Sequence, residues 1–317
     1  MNILVYGAGT IGLTYAWLLS SNNRVDVFVR KKSMQSYSAI VNLSIKDLRK
    51  NDKTYKKYSY FPNYVTEITK KYDLILVTVN STKTTDAMKE LSGFKESIIL
   101  ILQNNWDIEK KLKPYFQLSE CIIGFPSSIG GGRNRTGITA IIFKEATILG
   151  VDKSSNYAQI QKIEHLFSSI DLPTKRVFDI TSWLRVHSLQ QAITSGAILK
   201  SGSFEELKKS HNDIKCMLLA WREGILLCEK LGISTKDYFP VRYLFLPCNI
   251  VAFAIKSIFN KPHTTVMITG HMKYGLNEWI DEYWEILNTA KEVNFPMPVW
   301  TSYRKYVENY KNKYLIW

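Results

Sequence analysis

The chain has 317 residues, 45% hydrophobic and 22% charged, which suffices for two ordinary domains and excludes a disordered protein. Its formal charge of +14, from 42 basic and 28 acidic residues, favours anionic ligands such as phosphates. The basic residues are scattered in short groups such as Lys56-Lys57 and Lys208-Lys209, so no nucleic-acid partner is expected. Met1 leads directly into Asn2-Ile3-Leu4-Val5-Tyr6, an apolar run closed by glycine. It predicts a buried strand and leaves no place for a signal peptide ahead of the fold. Residues 10–20 carry helical spacing, and 25–29, 73–79 and 97–103 predict further strands rich in branched aliphatics. Nearly continuous apolar strands separated by helices imply a parallel sheet covered on both faces. Residues 121–125, 138–143 and 147–150 predict strands that extend this sheet at its far edge, with Gly130-Gly131-Gly132-Arg133 as a loop.

After about Val177 the strand signals vanish, and residues 183–199, 204–231, 241–259 and 279–293 predict helices. Pro296 and Pro298 interrupt the chain before a last helix over 300–313. The expected architecture is α/β: a Rossmann domain over 1–176, then an all-α domain over 177–317. The most apolar late stretch, 243–255, contains Pro247 and ends at Lys256. It is too short to span a membrane and predicts a buried helix kinked at the proline. It leaves room for a homodimer but equally suits the core of a monomer. Cys121, Cys216, Cys228 and Cys248 form no Cys-x-x-Cys pair and no zinc spacing, so buried free thiols, no metal and a cytoplasmic location are expected.

Gly7-Ala8-Gly9-Thr10-Ile11-Gly12 fits the G-x-G-x-x-G pattern, placed after a strand and at the start of a helix. That context gives the string its meaning. The first glycine permits a tight turn, the second lets backbone approach a pyrophosphate, and the third permits close helix–strand packing. The N–H groups at the helix start, around Thr10 and Ile11, face the phosphates. At the end of the second strand an NAD-specific site usually carries Asp or Glu; this chain has Arg30, then Lys31 and Lys32. A guanidinium grips a 2′-phosphate with paired hydrogen bonds, so NADP(H) is the expected cofactor.

In these residues the chain resembles the ketopantoate reductase family, the NADPH-dependent 2-dehydropantoate 2-reductases of pantothenate synthesis. The glycine loop and Arg30 after Val25-Asp26-Val27-Phe28-Val29 match that family. Leu102-Gln103-Asn104 is similar to its segment beside the nicotinamide ribose, and Trp183 to a tryptophan that opens its first long C-terminal helix. Glu278 follows Met267 by the family's spacing to its active-site glutamate, and 294–298 resembles its G-I-P-T-P turn. The resemblance implies an oxidoreductase that uses Glu278 in catalysis, Asn104 at the cofactor, and a small keto acid as substrate.

The departures fall in the substrate half. Where the family has a catalytic lysine this chain has Arg185, and where it has two asparagines it has Leu189 and Ile193. The family's substrate-binding serine is replaced by Val266, with the hydroxyl of Thr265 beside it. A cofactor lysine is replaced by Asn80, with Lys83 nearby, and a glycine by Asn105. Reducing a ketone by hydride requires the carbonyl oxygen to be polarised or protonated. Arg185 stays charged, so it can clamp a carboxylate but is a poor proton donor. His187 is the better acid by its ordinary pKa, although two positions along a helix point it away from Arg185.

Three functional readings follow: an NADPH-dependent reductase of a 2-keto acid such as 2-dehydropantoate or a related carbonyl compound; a non-catalytic NADP(H)-binding sensor or degenerate reductase; and an enzyme acting on an amine or imine, with an apolar pocket formed by Leu189 and Ile193.

Overall fold

The structure, a computed structural model, describes residues 1–134, 137–151 and 157–314. The chain divides into two compact units, Met1–Thr181 and Ser182–Trp317.

The first unit holds two sheets. Its strands in chain order are β1 (Asn2–Tyr6), β2 (Arg24–Phe28), β3 (Val41–Asp47), β4 (Lys56–Tyr60), β5 (Asn63–Val65), β6 (Leu74–Val77), β7 (Ile98–Leu102), β8 (Ile122–Phe125), β9 (Ile129–Asn134), β10 (Gly137–Ile142), β11 (Thr147–Val151) and β12 (Thr174–Phe178). Helices α1 (Thr10–Leu19), α2 (Thr84–Leu91), α3 (Ile108–Leu112) and α4 (Tyr157–Ser168) connect them. The main sheet is eight-stranded in the order β12-β11-β8-β7-β6-β1-β2-β5, and the accessory sheet four-stranded in the order β4-β3-β10-β9. The main sheet is parallel except where β11 meets β8 antiparallel.

Two expectations are corrected here. The strand over 138–143 does not extend the main sheet; as β10 it pairs with β3 and β9 in the accessory sheet. The glycine-rich loop is itself a strand, β9, hydrogen-bonded to β10 along its length. Its glycines hid it, because β-branched residues are the sequence mark of a strand and Gly its usual absence. Gly131 (φ +147°) needs glycine: a Cβ there would sit 2.2 Å from the Thr139 carbonyl oxygen.

Helix α1 touches β1 and β2 of the main sheet and β9 and β10 of the accessory sheet. Both of its sides are therefore covered, which explains a sequence, Thr10-Ile11-Gly12-Leu13-Thr14-Tyr15-Ala16-Trp17-Leu18-Leu19, that is apolar nearly all round. One core joins Leu13 and Leu19 of α1 to Ile3, Val27, Leu76 and Leu100 of the main sheet and to Leu43, Ile45 and Ile138 of the accessory sheet. The fully buried Tyr15 hydroxyl lies 2.9 Å from Thr147 Oγ1 and 3.2 Å from Ser128 Oγ, which satisfies an otherwise costly buried polar group. Asp26, in the middle of β2, is buried yet satisfied by Asn63 (2.7 Å), Tyr72 (2.6 Å) and Lys70 (2.8 Å). Burial would raise its carboxyl, but these partners outweigh burial and hold it below the usual carboxylate range.

Helix α5 (Ile180–Ser201) leads into the second unit, followed by α6 (Phe204–Lys209), α7 (His211–Lys230), α8 (Val241–Leu244), α9 (Cys248–Phe259), α10 (Pro262–Tyr274), α11 (Leu276–Glu292), α12 (Pro298–Ser302) and α13 (Arg304–Tyr314). The second unit is all-α among the described residues. The helix expected over 204–231 is two, because Ser210 ends α6 and caps α7 by accepting from Asp213 N–H at 3.1 Å. Likewise Pro247 separates α8 from α9, and α10 escaped the sequence reading. Trp300, Tyr283 and Tyr303 are fully buried. The Glu223 carboxylate accepts the Val299 (3.0 Å) and Trp300 (2.8 Å) N–H groups at the start of α12.

The apolar stretch 243–255 is not the buried helix expected. Its inner residues, Leu244, Val251, Ala252 and Ile255, are covered, but Tyr243, Phe245, Leu246, Ile250 and Phe253 are exposed. All four cysteines are free, with Cys121 and Cys228 buried and Cys216 and Cys248 half-buried. No helix among the described residues is long and apolar enough to cross a membrane.

Candidate functional site

The turn between β1 and α1 is built from steric necessity. Gly7 has φ +130°, and a Cβ on it would lie 2.9 Å from Thr78 Oγ1. A Cβ on Gly12 would lie 1.8 Å from the Gly7 carbonyl oxygen, so α1 reaches this depth only with glycine there. Thr78 Oγ1 donates to the Gly7 carbonyl at 3.1 Å and locks the turn to β6. Gly9 differs: no atom lies within 4 Å of a Cβ built on it, so it fronts open space at the helix N-terminus. No side chain caps α1 there. Open space over a glycine at an uncapped helix start fits a pyrophosphate, which the N–H groups around Thr10 and Ile11 would hold.

A cleft of about 290 Å³ lies over this turn, lined by Gly7, Gly9, Arg30, Tyr37, Thr78, Asn80 and Lys83 among others. Arg30 lies two residues beyond β2 and opens a 3-10 turn that carries the exposed Lys31. Its guanidinium faces two carboxylates of α2: Asp86 at 3.5 Å and Glu90 at 4.0 Å. Asp86 and Glu90 are one helical turn apart and share a face; Glu90 also accepts from the Tyr6 hydroxyl, whose ring stacks on Phe28 at 4.6 Å. Nothing in the sequence marked these acids as partners of Arg30.

Arg133 is a second cation that the sequence reading missed. Its Nη1 donates to the Ala8 carbonyl at 3.0 Å, and its guanidinium lies over the Tyr37 ring at 4.8 Å. Pairing of β9 with β10 brings it there, a contact no local pattern announces. Asn104 is buried just beyond β7. Asn105, in place of the family's glycine, donates to Gln103 Oε1 at 2.9 Å and Thr84 Oγ1 at 3.3 Å, and accepts from Lys111 at 3.1 Å. It braces the strand end, a role glycine lacks the atoms for.

In the second unit, Trp183, His187 and Gln191 follow one another by single turns along α5. The Trp183 and His187 rings stack at 5.0 Å, and the Gln191 amide nitrogen lies 3.0 Å from His187 Nε2. An amide donor there requires the ring nitrogen to accept, so the imidazole is neutral. Burial, with His271 close by, pushes the His187 pKa down to about 3. The better acid expected at this position is thus uncharged at neutral pH. His271 on α10 stacks against Trp279 of α11 at 5.1 Å, and burial pushes its pKa down to about 4.

Beside Trp279, in the first turn of α11, stands Glu278. A helix N-terminus favours a carboxylate, yet burial, with Asp281 nearby, raises the Glu278 pKa to about 7. Arg185 is half-buried on α5. Thr265, in the first turn of α10, donates its hydroxyl to the Phe259 carbonyl at 3.2 Å, tying α10 to the end of α9. Leu189 and Ile193 are fully buried, Leu189 packing on Gly224, where a Cβ would be 2.4 Å from it. Both side chains therefore pack in the helical core. Among the described residues no group of three or more His, Cys, Asp or Glu side chains is placed to hold a metal ion.

Comparison with known proteins bears on this arrangement. Residues 3–153 match the family described as ketopantoate reductase PanE/ApbA. That match takes in most of the N-terminal unit and just under half of the chain. The chain is 28% identical over 240 residues to the 2-dehydropantoate 2-reductase of Pyrococcus abyssi, covering 74% of this chain and 76% of that one. Solved structures share its fold. A D-mandelate dehydrogenase with NADH and anilino(oxo)acetate aligns with a TM-score of 0.72 at 16% identity, covering 99% of both chains. A probable 2-dehydropantoate 2-reductase from Bacillus subtilis aligns at 0.70 and 16%, covering 98% of this chain and 99% of that one. A dimeric ketopantoate reductase from Staphylococcus aureus aligns at 0.69 and 13%, covering 99% of both. The glycine turn and Arg30 lie inside the matched residues, whereas Arg185, His187, Thr265 and Glu278 lie beyond residue 153.

Proposed function

We propose that this protein is an NADPH-dependent reductase of a small 2-keto acid, such as 2-dehydropantoate, or a related carbonyl compound. The observation that carries the reading is the cleft over Gly9, with Arg30, Tyr37 and Lys83 in its wall, within a domain of a reductase family. The residues there suit the cofactor: an open glycine for the pyrophosphate and cations for a 2′-phosphate.

When bound, the reduced nicotinamide supplies the hydride. Glu278 holds the proton: with a pKa of about 7 it is a carboxylic acid for much of the time at neutral pH and can protonate the carbonyl oxygen as charge develops. In that role Glu278 would give its proton to the carbonyl oxygen of a substrate, and solvent would reprotonate the carboxylate. Arg185 supplies a cation for the substrate carboxylate, and Thr265, whose proton is committed to Phe259, offers its oxygen as an acceptor. His187 remains neutral and orients rather than acidifies.

The test is NADPH oxidation with a panel of 2-keto acids that includes 2-dehydropantoate, repeated with Glu278→Gln. Turnover that falls at least a hundredfold in the variant supports the reading; no turnover with any keto acid refutes it. Tight NADPH binding without turnover would instead favour a non-catalytic NADP(H)-binding protein. That second reading draws on the burial of Leu189 and Ile193, which leaves the family's asparagine positions in the core.

A further inference from the structure

The cleft over the glycine turn is short of positive charge for the cofactor proposed to fill it. Arg30 and Lys83 are the cations of its wall, and Arg30 already faces Asp86 at 3.5 Å and Glu90 at 4.0 Å. A 2′-phosphate alone brings a charge of about −1.5 to −2, and the pyrophosphate adds its own.

Strand β9 carries a further cation to the rim. Its glycines let it lie close on its neighbours: a Cβ on Gly130 would be 2.9 Å from the Phe143 ring, and one on Gly131 2.2 Å from the Thr139 carbonyl oxygen. Arg133, near the end of the strand, pairs with the buried Ile138 of β10, and β9 packs against α1. The exposed Arg133 side chain thus has a rigid base beside the start of that helix.

Two contacts hold the guanidinium itself. Its Nη1 donates to the Ala8 carbonyl at 3.0 Å, and it lies over the Tyr37 ring at 4.8 Å. Tyr37 is braced in turn by Tyr64, with ring centroids 5.3 Å apart. Ala8 and Tyr37 both line the cleft, so Arg133 stands at its edge, next to the open space over Gly9. A guanidinium presents five N–H donors in a planar fork, and the Ala8 carbonyl takes one. Among the described residues Arg133 makes no ion pair, so no carboxylate there neutralises it as Asp86 and Glu90 partly neutralise Arg30.

We propose that Arg133 binds the pyrophosphate of the dinucleotide, as a second phosphate-binding cation beside Arg30. The proposal rests on the reading of this cleft as an NADPH site. It divides the work between two arginines: Arg30 takes a group that only NADPH carries, and Arg133 takes one that NADPH and NADH share. A guanidinium already held by a carbonyl and a ring loses little freedom when a phosphate arrives, which favours Arg here over a mobile Lys at the surface.

The test is fluorescence titration of the full chain with NADPH and with NADH. Arg133→Ala is expected to weaken both about 10–100-fold, by factors that agree within about threefold. Arg133→Lys, which keeps the charge, should stay within about tenfold of wild type. Arg133→Gln, which keeps a donor for the Ala8 carbonyl but no charge, should lose as much as Arg133→Ala. All three should melt within about 2 °C of wild type without cofactor. Wild-type affinity in Arg133→Gln overturns the proposal and leaves Arg133 a brace for the loop. Undiminished affinity in Arg133→Ala overturns it too, as does a loss confined to NADPH, which would put Arg133 at the 2′-phosphate. Each of these outcomes leaves the NADPH reading standing, whereas a wild type that binds neither cofactor overturns both.

Discussion

The Nη2 atom of Arg30 lies 3.5 Å from Oδ2 of Asp86, so the cation at the cleft over the glycine turn already has a carboxylate within reach. Both side chains are more than a third exposed (37% and 59%), so the pair contributes little to stability. Its consequence is competition: a 2′-phosphate at Arg30 must share the guanidinium with Asp86 and Glu90. Arg30→Ala is expected to weaken NADPH binding about 10–100-fold and NADH binding by less than about threefold. Asp86→Asn with Glu90→Gln should tighten NADPH severalfold and leave NADH unchanged. Fluorescence titration at two salt concentrations checks both, and equal losses for the two cofactors in Arg30→Ala would remove Arg30 from the 2′-phosphate.

The glycines of the turn separate folding from binding. Gly12→Ala places a methyl 1.8 Å from a carbonyl oxygen and should cost more than about 3 kcal/mol of stability. Gly9→Ala meets nothing within 4 Å at a negative φ of −82°, so its melting temperature should stay within about 2 °C of wild type. If the proposed cofactor lies there, its NADPH affinity should nonetheless drop at least tenfold, because the methyl would fill the space proposed for the pyrophosphate. Thermal melts with and without NADPH decide the matter; undiminished cofactor stabilisation in Gly9→Ala would place the phosphates elsewhere.

Glu278 fixes the direction of the pH dependence. Its pKa is raised to about 7 in the fold, so the folded state favours the protonated form. The stability this contributes is complete below the ordinary carboxyl pKa of about 4.3 and is lost as pH rises through about 7. Glu278→Gln should therefore gain on wild type at pH 8 and lose that advantage at pH 4, as read by urea melts. Carbonyl reduction with Glu278 as proton donor should fall above pH 7, and the reverse oxidation should rise. A rate profile flat from pH 5 to 9 would assign the proton elsewhere.

Returning Leu189 to the family's asparagine should not restore family chemistry. The side chain is fully buried against Gly224, and an amide there finds no water. Leu189→Asn should destabilise by about 2–4 kcal/mol with no gain in turnover, measured by denaturant unfolding and keto-acid kinetics.

Gly7, Gly9 and Gly12 were legible because each answers to local geometry: a positive φ, an open approach, a contact with the preceding turn. Arg30 was legible from its place at a strand end, whereas Asp86 and Glu90 were not, since α2 reaches it only through the fold. The accessory sheet stayed hidden because β9 is glycine-rich and its partners are distant in the chain. Glu278 could be named by spacing, but its protonation depends on burial. The stretch 243–255 was read as core because hydrophobicity alone does not say what covers it.

The pairing of β3 with β10 has a temporal side. During synthesis, residues 41–60 emerge long before 137–142, so β3 and β4 wait as a two-stranded ribbon, too small to be stable alone. Helix α1 waits with them, one flank uncovered until β9 and β10 arrive. The sheet around the glycine turn is thereby finished late, and if the turn holds a dinucleotide as proposed, a nascent chain stalled near residue 120 should be unable to retain it although the turn has already been made.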